Sequence, residues 1–425
     1  MFAWLSSTAT YGQLQFEKEP IDYYKGELND PVSKLIRKLE AGQTKLEFDD
    51  KHGYLPSLLK VLGVRPSSQT LVFSKTSFQL RRISGRTPRA LYFSDDVYVG
   101  CVQDGDVLEI SSVDPNQGAI FYTLSVEDTE QPVFLRDKGQ CLICHASSRT
   151  QGVPGHVVRS VFADRAGQPQ YGSGTFTTDH TSPFLERWGG WFVSGKHGSL
   201  RHLGNAFVED KRRPERLDLE AGANLTDLSE LVDVSPYLRP TSDIVALMVL
   251  EHQTQMHNFI TLANYEHRTA YHYQQTINEA LERPADFVDD STRRRIASAT
   301  EKLVEYLLFS GEFRWDAKVS GVSGFDKEFT ELGPRDSKGR SLRDFDLQTR
   351  LMKYPCSYLI YSDAFAHLPQ EVKHLVYRRL WEVLSGKDKT KPFEHLTDED
   401  RTAIREILWE TKPDLAAFWK TLEGA

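Results

Sequence analysis

Ala90-Leu-Tyr-Phe-Ser, Val97-Tyr-Val-Gly-Cys-Val, Val107-Leu-Glu-Ile and Ala119-Ile-Phe-Tyr-Thr-Leu follow one another along residues 90–124. Each run is short and rich in β-branched and aromatic side chains, which suit a pleated, half-buried surface. Gln103-Asp-Gly and Asp114-Pro-Asn-Gln-Gly separate them with turn chemistry. With Thr70-Leu-Val-Phe-Ser ahead of them, they predict an antiparallel sheet over 70–125. Upstream, residues 1–30 are polar and aromatic without a clear period. A helix is expected to begin at Asp30, with Pro31 in its first position, Leu35, Ile36 and Leu39 on one face, and Gly42 ending it. A shorter helix follows near Leu55–Leu62, closed by Gly63. Downstream, Val157–Phe162 and Gln170–Phe176 flank Asp164-Arg-Ala-Gly-Gln-Pro and read as a further hairpin.

From Thr241 the apolar period changes to 3.6 and helices are expected to the end of the chain. Capping signals and amphipathic spacing delimit three of them, Gln370–Leu384, Thr397–Glu410 and Pro413–Leu422. The expectation is an α+β chain, antiparallel and β-rich in its N-terminal half and mainly α-helical in its C-terminal half. Its segments are an irregular helical stretch at 1–69, a β-rich region at 70–205, a polar linker at 206–240 containing Pro214, Pro236 and Pro240, and a helical domain at 241–425. Within the last, the Gly-, Asp- and Ser-rich stretch 316–345 reads as a long loop.

The chain of 425 residues is 39% hydrophobic and 26% charged, with a formal net charge of −8. That length can bury a large core. The acidic balance, without a long basic run, makes nucleic acid and anionic membrane surfaces poor partners. No run approaches the ~18 apolar residues that would cross a bilayer. The start, Met1-Phe-Ala-Trp-Leu-Ser-Ser-Thr, lacks the basic region of a signal peptide.

Beyond the β-rich runs stands Cys141-Leu142-Ile143-Cys144-His145. At this chain's own Cys and His frequencies the pattern arises by chance in roughly one such chain in a thousand. Thiols at i and i+3 share one face of a helical turn, and the next residue carries its imidazole to the same side. Two cysteines on one face can each bond one vinyl group of a porphyrin while the histidine reaches the iron. Zinc is an alternative, although a closed zinc site needs four ligands and Cys101 and Cys356 stand alone. A redox dithiol is another, but Phe134–Gln140 reads as a polar turn rather than the buried strand such a motif follows.

At this motif the chain resembles a c-type cytochrome. The resemblance implies one covalent haem c bound through Cys141 and Cys144, with His145 as the proximal iron ligand. It also implies maturation outside the cytoplasm, hence a periplasmic or extracellular location with a leader missing from the sequence in hand. Small electron-carrier cytochromes place the motif near the start of a helical domain of about a hundred residues. Here it follows a β-rich segment, an arrangement similar to large uncharacterised bacterial monohaem cytochromes. The haem is then expected between the two halves. Cys101 and Cys356 remain, as a disulfide or as two buried thiols.

The occupant of the second axial position decides between electron transfer and chemistry. On the helix from Thr241 to Gln275, Val245, Met248, Val249, His252, Met256, Phe259 and Ala263 form one apolar stripe. His252 at its centre, or Met256 one turn on, is the expected distal ligand or acid/base; a core histidine bonded within the protein is the competing reading. His156, His180, His197 and His202 are further candidates. Arg187 and Arg159 are candidate partners for haem propionates or for a bound oxy-anion. In Arg187-Trp-Gly-Gly-Trp-Phe, Trp188 and Trp191 are candidates to pack against the haem edge. Two functions follow. One is a haem oxidoreductase acting on peroxide, dioxygen or another small redox substrate, with His252 as acid/base and Arg187 as charge stabiliser. The other is a six-coordinate electron-transfer or redox-sensing cytochrome that docks a partner protein.

Overall fold

The computed structural model describes residues 15–424. The reading of Met1–Thr8 as no signal peptide, and the first part of the 1–69 segment, lie outside them. The architecture is α+β, with an antiparallel sheet in the N-terminal half and helices in the C-terminal half.

The N-terminal layer holds α1 (Pro31–Glu40) and α2 (Leu55–Val61). Asp30 accepts from the backbone N–H groups of Val32 and Ser33, and Pro31 follows it, which is why the helix starts there. The sheet then runs through β1 (Thr70–Val72), β2 (Arg89–Phe93), β3 (Val97–Cys101), β4 (Val107–Asp114), β5 (Gly118–Ser125) and β6 (Phe134–Arg136). A short helix, α3 (Leu142–His145), carries the cysteine motif. A two-stranded ribbon of β7 (Arg159–Val161) and β8 (Thr175–Thr177) follows, then β9 (Trp191–Phe192). The strand order is β6-β5-β4-β3-β2-β1-β9. The Gly-Gly-Trp-Phe stretch is therefore sheet edge, paired with β1 through Leu71–Phe192 and Val72–Trp191. Residues 206–240 form no helix or strand, yet Leu228, Val232 and Tyr237 in this segment are buried in the sheet's outer core.

The helical half comprises α4 (Ile244–Ala280), α5 (Asp290–Leu307), α6 (Phe325–Thr330), α7 (Asp363–Ala366), α8 (Gln370–Leu384), α9 (Asp398–Thr411) and α10 (Pro413–Glu423). The stretch 316–345 is not a free loop. It contains α6, bridges Lys196 to Ser320, and donates the Val322 and Ser323 amides to Asp243 at 2.7 and 2.8 Å. Asp243 also caps α4 by accepting from Val245 and Ala246. No helix among the described residues is long and apolar enough to cross a membrane.

The two faces of the sheet bury different things. Residues such as Ala90, Tyr92, Val99, Leu108, Ile110, Tyr122 and Leu124 point outward against α1, α2 and the 228–237 segment. The opposite face meets α4: Tyr98 receives a hydrogen bond from Gln253 Nε2 at 2.8 Å. Helix α4 is itself surrounded, with every residue from Ile244 to Thr254 buried. Cys356 lies in that helical core and Cys101 on β3 at the edge of the other core, both as free thiols, so they form no disulfide.

Candidate functional site

The cysteine motif sits where the chain leaves β6. Asp137, just past that strand, donates its N–H to the Phe121 carbonyl, and its Oδ2 accepts from Gly139 and Cys141 at 2.8 and 3.1 Å. These bonds start α3 in place of a side-chain N-cap. Leu142 points into the outer core and is 4% exposed, whereas Ile143 is 77% exposed. One hydrophobic side chain thus anchors the turn while its neighbour stands in solvent. Cys141 is half-buried and Cys144 exposed, and neither is in a disulfide. Burial, reinforced by the Asp137 carboxylate, pushes the Cys141 thiol up to about 12, so it stays protonated near neutral pH.

His145 is half-buried, its ring 4.8 Å from that of Phe121 on β5. Its Nδ1 is 3.0 Å from the Gly155 carbonyl, while Gly155 donates its N–H back to the His145 carbonyl at 2.8 Å. A carbonyl only accepts, so Nδ1 carries the proton and Nε2 keeps its lone pair. Burial lowers the pKa of the ring, which favours this neutral form. No protein group among the described residues bonds Nε2. The loop is held from behind by α4: the Asn258 amide accepts from the His156 N–H at 2.9 Å and donates to its carbonyl at 2.7 Å. A Cβ at Gly155 would stand 2.1 Å from Asn258 Oδ1, so glycine is what admits this clamp. Sequence reading missed Gly155 and Asn258; their separation of about a hundred residues leaves no local signal.

The two sulfurs and the imidazole do not converge on one point: among the described residues no three His, Cys, Asp or Glu side chains are grouped to hold a metal ion. A closed zinc site requires such convergence. A porphyrin does not, since its vinyl groups lie at the ring edge and its iron at the centre. Cys141, free of a disulfide, exposed Cys144 and the unbonded nitrogen of His145 are the groups that would hold such a ring.

The other predicted site residues are elsewhere. His252 is fully buried on α4, its Nδ1 2.9 Å from His180 Nδ1 and its Nε2 2.8 Å from Ser357 Oγ. With both nitrogens engaged it is a core histidine as placed, not a residue facing His145. Met256, 0% exposed, packs in the same helical core. Arg187 pairs with Glu251 at 3.0 Å, both buried, and also donates to the Ser182 and His180 carbonyls. Burial raises the Glu251 carboxyl to about 7 although Arg187 pulls against it. Trp188 and Trp191 belong to that core too, Trp191 donating to the Arg159 carbonyl at 2.8 Å. Neither indole packs near α3.

His156 bonds Ser111 Oγ at 2.6 Å with its ring tilted 4.2 Å from that of Tyr98, and its Nδ1 is buried without a partner. His197 is tied to the Leu200 carbonyl and the Asn224 amide, and His202 packs on Trp188. Arg159 bonds Thr175 within the ribbon. The structure thus brings together Cys141, Cys144 and His145, and gathers His252, His180, Arg187 and Met256 into a separate interior cluster. The chain matches no family model, no curated protein and no solved structure.

Proposed function

We propose that this chain is a monohaem c-type cytochrome, with Cys141 and Cys144 as the thioether donors and His145 Nε2 as the proximal iron ligand. The observation that carries the reading is the Gly155 carbonyl at His145 Nδ1, which fixes the tautomer and aims the one free nitrogen outward. Haem iron supplies a redox couple and a site for small ligands. The chain's own residues do the rest: Asp137 sets the turn, Leu142 anchors it, and Gly155 with Asn258 hold the imidazole.

The favoured activity is that of an oxidoreductase acting on peroxide, dioxygen or another small redox substrate at an open distal position. Support comes from the position of His252 and Met256, because His252 has both nitrogens bonded within the helical core and Met256 is enclosed there. Neither His252 nor Arg187 serves as the distal acid/base or charge stabiliser in this reading. Electron exchange with a partner protein is the second reading, favoured by the solvent position of Cys144 and Ile143 at the motif's outer side. A periplasmic or extracellular location belongs to the same proposal, through the requirement for covalent attachment.

The test is expression in a host that matures c-type cytochromes. The expected product is red, its pigment resists acid–acetone extraction, and the ferrous form binds carbon monoxide rapidly. A stable low-spin spectrum indifferent to carbon monoxide would favour the electron carrier. Colourless protein, or zinc bound at the two sulfurs, would end the haem reading.

A further inference from the structure

The loop behind the motif is fixed one peptide group after another. Thr150 Oγ1 donates to the Val153 carbonyl at 2.8 Å, and the Ala119 N–H of β5 donates to the Pro154 carbonyl at 3.1 Å. His145 Nδ1 then meets the Gly155 carbonyl at 3.0 Å. The same Gly155–His156 peptide turns its N–H to Asn258 Oδ1 at 2.9 Å. That carbonyl and that N–H are the two ends of one planar, conjugated group. The two hydrogen bonds therefore lie in series, with His145 at one end and Asn258 at the other.

Asn258 is itself held in one orientation. Its Nδ2 donates to the His156 carbonyl at 2.7 Å and to Gln255 Oε1, three residues back on α4, at 2.7 Å. A backbone carbonyl only accepts and a backbone N–H only donates, so the amide cannot be turned over. The side chain is 1% exposed, and water does not compete for it. An acceptor at a peptide N–H pushes electron density toward the carbonyl oxygen of that peptide. In a low-dielectric interior the bonds of such a chain strengthen one another, by roughly 10–30% per bond.

We propose that Asn258 is a positioning residue that acts on His145 through the Gly155–His156 peptide and sets how strongly the imidazole donates through Nε2. The inference rests on the haem reading, under which Nε2 faces the iron, and adds to it a control that reaches the site from α4. With Asn258 in place the Gly155 carbonyl is a stronger acceptor. It draws harder on the Nδ1 proton, and the ring becomes a more basic ligand. A more basic ligand favours oxidised iron, so Asn258 holds the midpoint potential down. Thr150 supplies the contrast: it anchors the same loop through the Val153 and Ser147 carbonyls without bonding the Gly155–His156 peptide.

Two preparations of the full-length chain separate this inference from the reading beneath it. In the haem-free protein, the His145 Nδ1–H resonance is compared by NMR in the wild type, Asn258→Leu and Thr150→Val. Asn258→Leu is expected to move that proton to lower frequency, as its hydrogen bond weakens, and Thr150→Val to leave it in place. In the haem-loaded protein, acid–acetone-resistant pigment is checked first, and its absence overturns the haem reading while the NMR comparison still decides the role of Asn258. With pigment present, spectroelectrochemical titration is expected to show a positive shift of the midpoint potential in Asn258→Leu and none in Thr150→Val. Should Asn258→Leu fail to fold, Gln255→Leu removes the far end of the same chain and is expected to give smaller shifts of the same sign. A resonance and a potential that stay at their wild-type values in the variants of this chain, or that move equally in Thr150→Val, would reduce Asn258 to a structural clamp and overturn the assignment.

Discussion

The rim of the sheet around Cys141–His145 and the interior around His252–His180 use the same residue types for opposite ends. At the rim, a histidine is held by one nitrogen and leaves the other free, a cysteine is exposed, and leucine and isoleucine side chains stand in water. In the interior, His252 spends both nitrogens on His180 and Ser357, and rings stack on every side, with Phe309 at 4.2 Å. A polar group bonded in a low-dielectric core specifies packing, whereas an unspent lone pair at a half-open surface is chemistry held in reserve. What separates these two histidines is thus the second nitrogen and where it stands: that of His252 is bonded to Ser357 in the core, while that of half-buried His145 has no protein partner.

Substitutions should split along the same line, and the largest effect belongs to the interior. Arg187→Leu strips the buried Glu251 carboxyl of its counter-ion and hydrogen-bond donor, so that it must take up a proton and stand unpaired, and is expected to lower the unfolding free energy by about 3–5 kcal/mol, read by urea denaturation. Covalent haem attachment in the folded fraction should survive it. His252→Leu strands His180 Nδ1 and Ser357 Oγ and should cost about 1–3 kcal/mol while leaving the visible spectrum unchanged. A changed spin state in that variant would break the comparison by returning His252 to the iron. His145→Ala should do the reverse: it costs under about 1 kcal/mol in the haem-free protein, because one hydrogen bond at a half-exposed site is lost. In the loaded protein it should convert the spectrum.

The pH dependence sharpens the contrast further. Burial holds His202 down to about 3 and His180 to about 4. Their folded pKa values lie below the unfolded value, so the stability from keeping them neutral is present above about pH 6.5 and is lost as pH falls. Half-buried Asp96 acts with the opposite sign. Its carboxyl is raised to about 7, first by burial and then by Asp95, so its contribution is present at low pH and disappears as pH rises through about 7. Urea midpoints for His202→Phe should therefore fall less steeply with acid than in the wild type. Asp96→Asn should remove part of the decline between about pH 4 and about pH 7.

Much of the fold was legible because its signals are local. Asp30 with Pro31 marked α1, Thr397 caps α9 as predicted, and α8 and α10 begin at Gln370 and Pro413 as their spacing predicts, without a capping side chain. The sheet followed from short β-branched runs punctuated by turns. The cysteine motif was legible for the same reason, being five consecutive residues. The rest of the site was not, and α4 shows why. Its apolar stripe implied one buried face with His252 at the centre, yet eleven consecutive residues from Ile244 are buried, so the helix has no single inward face. Its polar residues then answer to neighbours far away in sequence, such as Ser357. Trp188 and Trp191 show the same dependence on distant neighbours: the glycines between them precede a two-residue strand that pairs with β1 at the sheet edge. The Asn258 clamp on the Gly155–His156 peptide joins positions 102 residues apart, which no spacing along the chain encodes.

The sheet also governs how this molecule meets copies of itself. Its outer strands are three residues at β6 and two at β9, and Arg136 on β6 is committed to the Tyr23 and Tyr24 carbonyls. Short edge strands of this kind limit the pairing by which exposed β-structure aggregates.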